Sequence, residues 1–303
     1  MRALSKHLDW AALGRLRLAA RRVADGAWAG THRSRRRGAG LEFAGHRSYV
    51  PGDDLRWLDQ RALLRHERLL IKQFDTETER PLRLVLDATA SMGFRSEPGR
   101  LTKLDFGALL AAALTRVAVR TGDPVGLDFL GGGEAAHSLP LAGGLEAFER
   151  TLIELSRLGA TGELGSGRID IERSFAAVAH RATRGSLIVV ISDLLQFGDD
   201  GPQVLAALGA GGRQVIGVQV LDPSEALFPL EGPVRLRASE GDFEIETNAS
   251  LARAGYLESL AGLQQRFREA LRAHGGELVI CRTDEDGVQA VRSVLRAAEG
   301  RSR

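Results

Sequence analysis

Two apolar runs constrain this chain most. Leu84-Val85-Leu86 and Leu187-Ile188-Val189-Val190-Ile191 contain no polar residue. A strand with one wet face alternates with a period of two, whereas a strand covered on both faces does not. Both runs end in an acid, Asp87 after the first and Ser192-Asp193 after the second. Around them, apolar runs alternate with helical patterns from residue 82 onward. The patterns predict strands at Arg83–Ala88, Val125–Leu130, His137–Leu141, Ser186–Leu194, Arg213–Asp222 and Glu277–Arg282. They predict helices at Leu104–Arg120, Leu145–Arg157, Ile171–Ala182, Pro202–Leu208, Leu251–Ala273 and Gly287–Ala298. Such βα alternation implies an α/β fold with a doubly wound, mostly parallel sheet. Val234–Ser239 and Phe243–Thr247 flank Glu240-Gly241-Asp242, a turn signal, and predict a β-hairpin insertion near 234–247.

The first 80 residues read differently. Leu8, Ala12, Leu16, Ala20, Val23 and Ala27 recur at steps of three and four, predicting a helix over residues 8–27 with arginines on its other face. An Arg- and Gly-rich loop follows from Gly30 to Gly40, and a strand is expected around Leu70–Phe74. Residues 1–40 hold ten Lys or Arg against two acids, so this arm carries +8 of a whole-chain +2 and the rest carries −6. A basic arm on a mildly acidic body is the resulting picture. The expected division is an N-terminal segment over residues 1–80 and an α/β domain over 81–303. One cysteine, Cys281, excludes an intrachain disulfide framework and reads as a small buried apolar residue. No apolar run approaches the roughly 20 residues of a membrane span. MRALSKHLDW has no apolar leader core, so a cytoplasmic protein is the expectation.

The chemistry concentrates at the strand ends. In open α/β sheets, ligands bind outside the carboxyl ends of the strands. Asp87, Thr89 and Ser91 follow one another at steps of two, and a turn after the strand would aim all three oxygens at one small, hard cation such as Mg²⁺. If the strand ending in Asp193 is a neighbour, both carboxylates face one crevice, where they repel unless a cation or an arginine lies between them. Otherwise each acid caps the turn that follows it. The glycine clusters carry no nucleotide signature. Gly131-Gly132-Gly133 is not followed by a helix pattern, Gly209–Gly212 precedes a strand, and Gly162–Gly167 contains no GKS or GKT. Ser91 has no histidine in a recognisable catalytic phrase, which sets a hydrolase aside.

Several phrases occur together: Gly38-Ala-Gly40-Leu-Glu42-Phe43, Arg47-Ser-Tyr49-Val-Pro51-Gly52-Asp53-Asp54-Leu-Arg56-Trp-Leu-Asp59, Ile71-Lys72 and Asp87-Ala-Thr89-Ala-Ser91-Met92. Lys103, Gly122-Asp123-Pro-Val-Gly126, Ile191-Ser192-Asp193-Leu194 and Leu221-Asp222-Pro223-Ser-Glu225 follow in order. Over about residues 30–285 the chain resembles the domain-of-unknown-function 58 family. That resemblance implies a von Willebrand A-like domain with a metal-ion-dependent adhesion site at Asp87, Thr89, Ser91 and Asp193. It also implies a non-enzymatic role as adaptor or co-chaperone of a MoxR-type AAA+ ATPase, with a further protein client open.

One departure bears on the metal. Where the family places a ligating Thr, this chain has Ser166-Gly167-Arg168-Ile169-Asp170-Ile171. Ile169 offers no side-chain oxygen, so Mg²⁺ or Mn²⁺ is expected to bind weakly or not at all. Arg168 either bridges Asp87 and Asp193 in the cation's place or points to solvent. Arg47, Tyr49, Asp53, Asp54, Arg56 and Asp59 surround the Pro51-Gly52 turn, with Asp53 and Asp54 able to pair with Arg47 and Arg56. This cluster is either a structural knot or a docking surface. The alternative function is binding of an anionic membrane surface or nucleic acid through the basic arm. Against it stands an Ala/Leu face whose only aromatics are Trp10 and Trp28.

Overall fold

The structure is a computed structural model and describes residues 10–28, 37–38, 42–59, 62, 69–75, 80–162, 170–237 and 244–300. The chain divides into two compact units. One contains the N-terminal helix and everything from Arg80 onward, and the other lies within residues 32–79.

The larger unit is built on six strands: β4 (Leu82–Ala88), β5 (Val125–Gly131), β6 (Leu139–Ala142), β7 (Leu187–Ser192), β8 (Gln214–Leu221) and β11 (Glu277–Arg282). Their spatial order is β11-β8-β7-β4-β5-β6. Every pairing is parallel except that of the edge strand β6 with β5. The two runs singled out in the sequence lie side by side, with Leu84 opposite Val189 and Leu86 opposite Ile191. β4 is buried along its whole length, as its unbroken apolar run requires.

Successive side chains of a strand point to opposite faces, and the core divides accordingly. Leu84, Leu86, Val189, Ile191, Ile216 and Val218 belong to the apolar layer on one face. Val85, Ile188, Val190 and Val215 belong to the layer on the other. The first face is covered by α1 (Trp10–Trp28), α2 (Lys103–Thr121), α3 (Gly144–Arg157) and α8 (Gly287–Glu299). The second is covered by α4 (Ile171–Arg181), α5 (Gly201–Ala207) and α7 (Ala249–Ala273). The sheet is therefore doubly wound, as the alternation of patterns predicts.

α2 starts in a capping box, in which the Thr102 hydroxyl accepts from Asp105 N–H and the Asp105 carboxylate accepts from Thr102 N–H. It ends at Gly122, whose φ of 84° is the left-handed conformation of a helix stop. Gly107 allows this helix to lie directly on the sheet. A Cβ there would sit 2.9 Å from Leu86 Cδ1 and 3.2 Å from Ile191 Cγ2.

The expected boundary near residue 80 needs correction for the first helix. α1 packs on α2, α3 and α8 of the larger unit, and Ala20, Val23, Ala24 and Ala27 are in its core. The small residues are the reason, since they let helices approach closely. Ion pairs fasten the helix: Arg17 to Glu149, and Asp25 to Arg120 at 2.5 Å. Arg292 also donates to Gly26 O at 2.7 Å. Of the arginine-rich loop, Arg33, Arg35 and Arg36 lie outside the described residues.

The expected hairpin is present as β9 (Pro233–Arg237) and β10 (Glu244–Asn248), paired antiparallel, and its turn lies outside the described residues. Cys281 is buried, and burial pushes its thiol up to about 12. The smaller unit is an antiparallel sheet of β1 (Arg37–Gly38), β3 (Leu70–Asp75) and β2 (Glu42–Ser48), in the order β1-β3-β2.

Candidate functional site

β4 carries Asp87 to the carboxyl end of the sheet, and the chain then turns sharply. Thr89 precedes a 3-10 turn over Ala90–Gly93. Asp87 is fully buried, as is Thr89, and Ser91 is nearly so. Asp87 Oδ1 accepts from the backbone N–H of Thr89 at 3.0 Å and from its hydroxyl at 2.7 Å. The Thr89 and Ser91 hydroxyl oxygens are 3.3 Å apart. The three oxygen-bearing side chains predicted to converge do so.

β7 delivers the second acid beside the first. The Ser192 hydroxyl donates to Asp87 Oδ2 at 2.6 Å, joining the two strand ends directly. Ser192 Oγ in turn accepts from Leu194 N–H at 3.0 Å, and Asp193 Oδ1 accepts from Leu195 N–H at 3.1 Å. Leu194 holds φ at 61°, a left-handed conformation that L side chains rarely adopt. Gln219 of β8 donates to Asp193 O at 2.9 Å, and Gln264 of α7 donates to Gln219 Oε1 at 2.8 Å. Burial raises the Asp87 carboxyl, the Asp193 charge raises it further, and the bonds from Ser192 and Thr89 offset only part of this; it stands at about 7.

The positive charge in the crevice comes from α2. Lys103 is 1% exposed, and its ammonium donates to Asp193 Oδ2 at 2.8 Å and to Glu225 Oε1 at 2.7 Å. Burial alone would lower the Lys103 amine, but the Asp193 and Glu225 charges outweigh it and hold the amine above its ordinary value. Burial raises Glu225, opposed by Lys103. Glu225 lies in α6 (Pro223–Leu227). Its other oxygen completes a capping box by accepting from Asp222 N–H at 2.9 Å. Asp222 also accepts from Ser96 N–H, tying this cap to the loop after β4. Tyr256 donates to Glu225 O at 2.8 Å, and burial pushes its phenol up to about 12.

The remaining candidates are placed elsewhere. Arg168 and Ile169 lie outside the described residues. Asp170 caps α4, accepting from Arg173 N–H at 3.0 Å. The loop before them touches the crevice through its backbone: Thr161 N–H donates to Ala88 O, and Ala90 N–H donates to Gly162 O. In the smaller unit Arg47 holds Asp53 with two bonds of 2.5 and 2.6 Å, and Asp53 also accepts from Val50 N–H. Asp54 accepts from the Arg56 side chain and from Arg56 N–H. Asp59 pairs with His46 at 2.6 Å and accepts from Ala62 N–H. The backbone N–H of Tyr49 donates to Leu69 O. The signature acids thus fasten an irregular turn.

Sequence reasoning assigned no role to Lys103, Ser192 or Glu225. Glu225 carried a signal in the Asp222-Pro223-Ser224-Glu225 spacing of a capping box just past a predicted strand. Lys103 stood only among the phrases that carry the family resemblance, and its pairing left no local signal because its partners are 90 and 122 residues away along the chain.

Carboxylates and hydroxyls are the donors a hard dication prefers. Here, however, each oxygen of Asp87 and Asp193 already accepts a hydrogen bond, and one Asp193 oxygen holds an ammonium. Among the described residues, no group of three or more His, Cys, Asp or Glu is arranged to hold a metal ion. The donor types suit Mg²⁺, but the charge arrangement does not.

The model of the family described as "Protein of unknown function DUF58" matches residues 45–266. An uncharacterized protein of Mycobacterium tuberculosis is 28% identical over 91% of this chain and 85% of its own. Among solved structures, the conserved hypothetical protein BatB from Bacteroides thetaiotaomicron is 16% identical, with a TM-score of 0.48, over 73% of this chain and 100% of that one. An aerotolerance-related membrane protein from Bacteroides fragilis is 20% identical, with a TM-score of 0.45, over 72% of this chain and 98% of that one. A von Willebrand factor type A protein from Catenulispora acidiphila is 15% identical, with a TM-score of 0.41, over 74% of this chain and 43% of that one. The strand order and the helices on both faces make the fold a doubly wound, mostly parallel α/β fold.

The expectation of a cytoplasmic protein is corrected by this set. It rested on the absence of an apolar span, yet similar solved structures include proteins described as membrane proteins. No helix among the described residues is long and apolar enough to cross a membrane. That property describes the helices and leaves the protein's location open.

Proposed function

Since the chain belongs to the DUF58 family of proteins of unknown function, we propose that it is a non-catalytic protein-interaction module whose docking site is the crevice at the carboxyl ends of β4, β7 and β8. One observation carries this reading. Three leucines close in sequence to the buried network are exposed: Leu101 at 44%, Leu195 at 37% and Leu227 at 47%. Each stands two residues from a charged group of the buried network, Lys103, Asp193 and Glu225 respectively. The polar atoms hold these segments in place, and each segment carries one exposed leucine. Exposed aliphatic side chains on segments held by a buried polar network suit a protein surface, where they are desolvated on contact.

The partner favoured by the family resemblance is a MoxR-type AAA+ ATPase, with this chain acting as adaptor or co-chaperone. The Asp87, Thr89, Ser91 and Asp193 cluster serves as the scaffold of the site, and Mg²⁺ or Mn²⁺ contributes weakly if at all. Binding of lipid or nucleic acid through the basic arm gains no support from α1, whose Ala20, Val23, Ala24 and Ala27 face is in the domain core.

The test is a tagged pull-down from native lysate, comparing wild type with Leu195→Asp/Leu227→Asp and with Asp87→Ala. An AAA+ ATPase should be retained by wild type and depleted by the leucine double variant, with folding verified by circular dichroism. Equal retention by a folded double variant removes the crevice as the docking site.

A further inference from the structure

A divalent ion at an adhesion-type site neutralises carboxylates on neighbouring strand ends. In this chain a side chain already does so. Lys103 Nζ contacts Asp193 Oδ2 and Glu225 Oε1, and the Phe94 ring centroid lies 5.8 Å from it. An ammonium has three donors, and two are directed at carboxylates from different elements. We propose that the Lys103 ammonium is the resident cation of the crevice, so that the site is assembled without a divalent ion.

Three features place it there. Gly107 lies one helical turn after Lys103, on the same face of α2, and its missing Cβ seats that face against Leu86 and Ile191. The Thr102–Asp105 capping box fixes the helix start beside it. Glu225 divides its two oxygens between the Lys103 ammonium and the α6 cap, so its carboxylate is held in one orientation. A dication brought to Asp193 would have to share that carboxylate with the ammonium, and like charges at such range repel strongly in a buried site. The weak metal affinity expected from Ile169 thus has a second cause, located among the described residues. A tethered ammonium is also unaffected by chelators, so docking at this crevice persists in EDTA.

The proposal takes the crevice to be the functional site, but its test needs no partner. Purified full-length wild type, Lys103→Met and Lys103→Met/Glu225→Gln are titrated with Mn²⁺ and with Mg²⁺ by calorimetry, alongside thermal melts with and without each ion. Wild type should show no saturable binding below millimolar ion and no shift in its melt. Loss of the ammonium should tighten Mn²⁺ binding at least about tenfold, with a matching rise in melting temperature on adding the ion. The double variant neutralises Glu225, one of the two carboxylates that Lys103→Met leaves uncompensated, and so remains informative if the single variant does not fold. Micromolar Mn²⁺ binding by wild type overturns the proposal. So does a folded variant lacking Lys103 that binds no more tightly than wild type. A failed pull-down with unchanged metal data would instead count against the docking partner alone.

Discussion

The two units of this protein use the same chemical pairing in opposite surroundings. In the smaller unit Arg47 grips Asp53 and Arg56 grips Asp54 at a surface turn, where Arg56 is 84% exposed. In the larger unit Lys103 grips Asp193 and Glu225 with almost no access to solvent. The exposed pairs are close along the chain and water competes for both partners, so each adds little to stability and mainly shapes the turn. In the buried network each charge depends on its partner, because removing one leaves another uncompensated in a medium that solvates it poorly. The denser charge signature in the sequence is thus the energetically lighter one. Arg83 and Asp128 repeat the buried case at 3.0 Å, and a Cβ at Gly126 would lie 2.6 Å from the Arg83 guanidinium carbon.

The sharpest way to break this comparison is to remove one cation from each unit. Lys103→Met should cost about 3–5 kcal/mol, the usual cost of stranding a buried charge. Arg47→Met should leave the urea midpoint where an ordinary surface substitution leaves it. Equal effects in chemical denaturation would show that burial does not separate the two pairs.

A smaller effect tests how the buried network is positioned. Gly107→Ala places a methyl against Leu86 and Ile191 and should cost about 1–3 kcal/mol by overpacking. Because it lifts the helix that carries Lys103, it should also shift the amide resonances of Leu194 and Leu195 in an NMR spectrum. An unperturbed loop would show that α2 does not set the reach of Lys103.

The smallest effect belongs to the surface pair and depends on pH. The Arg47 guanidinium and the Val50 N–H hold the Asp53 carboxyl down at about 2, against an ordinary 3.8. Its contribution is therefore present above the ordinary value and disappears as pH falls through about 2. Hydrogen exchange at the Val50 amide should accelerate between pH 4 and pH 2 beyond its intrinsic change, and Arg47→Met should remove that step. A wild-type amide with no such step would mean that the pair does not hold the turn.

Much of the architecture was legible because it is written locally. Strand burial shows as missing alternation in Leu84–Leu86 and Leu187–Ile191, and helices show as apolar periodicity, which the structure completes with caps at Thr102, Asp170 and Asp286. The acids at the strand ends were legible for the same reason. The packing of α1 was not, since an Ala-rich stripe with arginines opposite it reads equally well as an arm in solvent. Nor was the choice of cation: Arg168 was the candidate by its place in the chain, whereas Lys103 reaches Asp193 from a different element.

By itself, then, the sequence determined the strands of the main sheet and most of its helices, though not β1, β2 or α6, as well as that the sheet is covered on both faces and that Asp87 and Asp193 end their strands. These follow from side-chain periodicity and backbone capping, which act over a few residues. Only the tertiary structure decided that β4 and β7 are neighbours, that α1 belongs to the domain, and that Lys103 and Glu225 meet Asp193. Those outcomes depend on how whole elements pack, and Gly107 acts at that level by letting one helix lie close enough to the sheet for its first residue to reach the site.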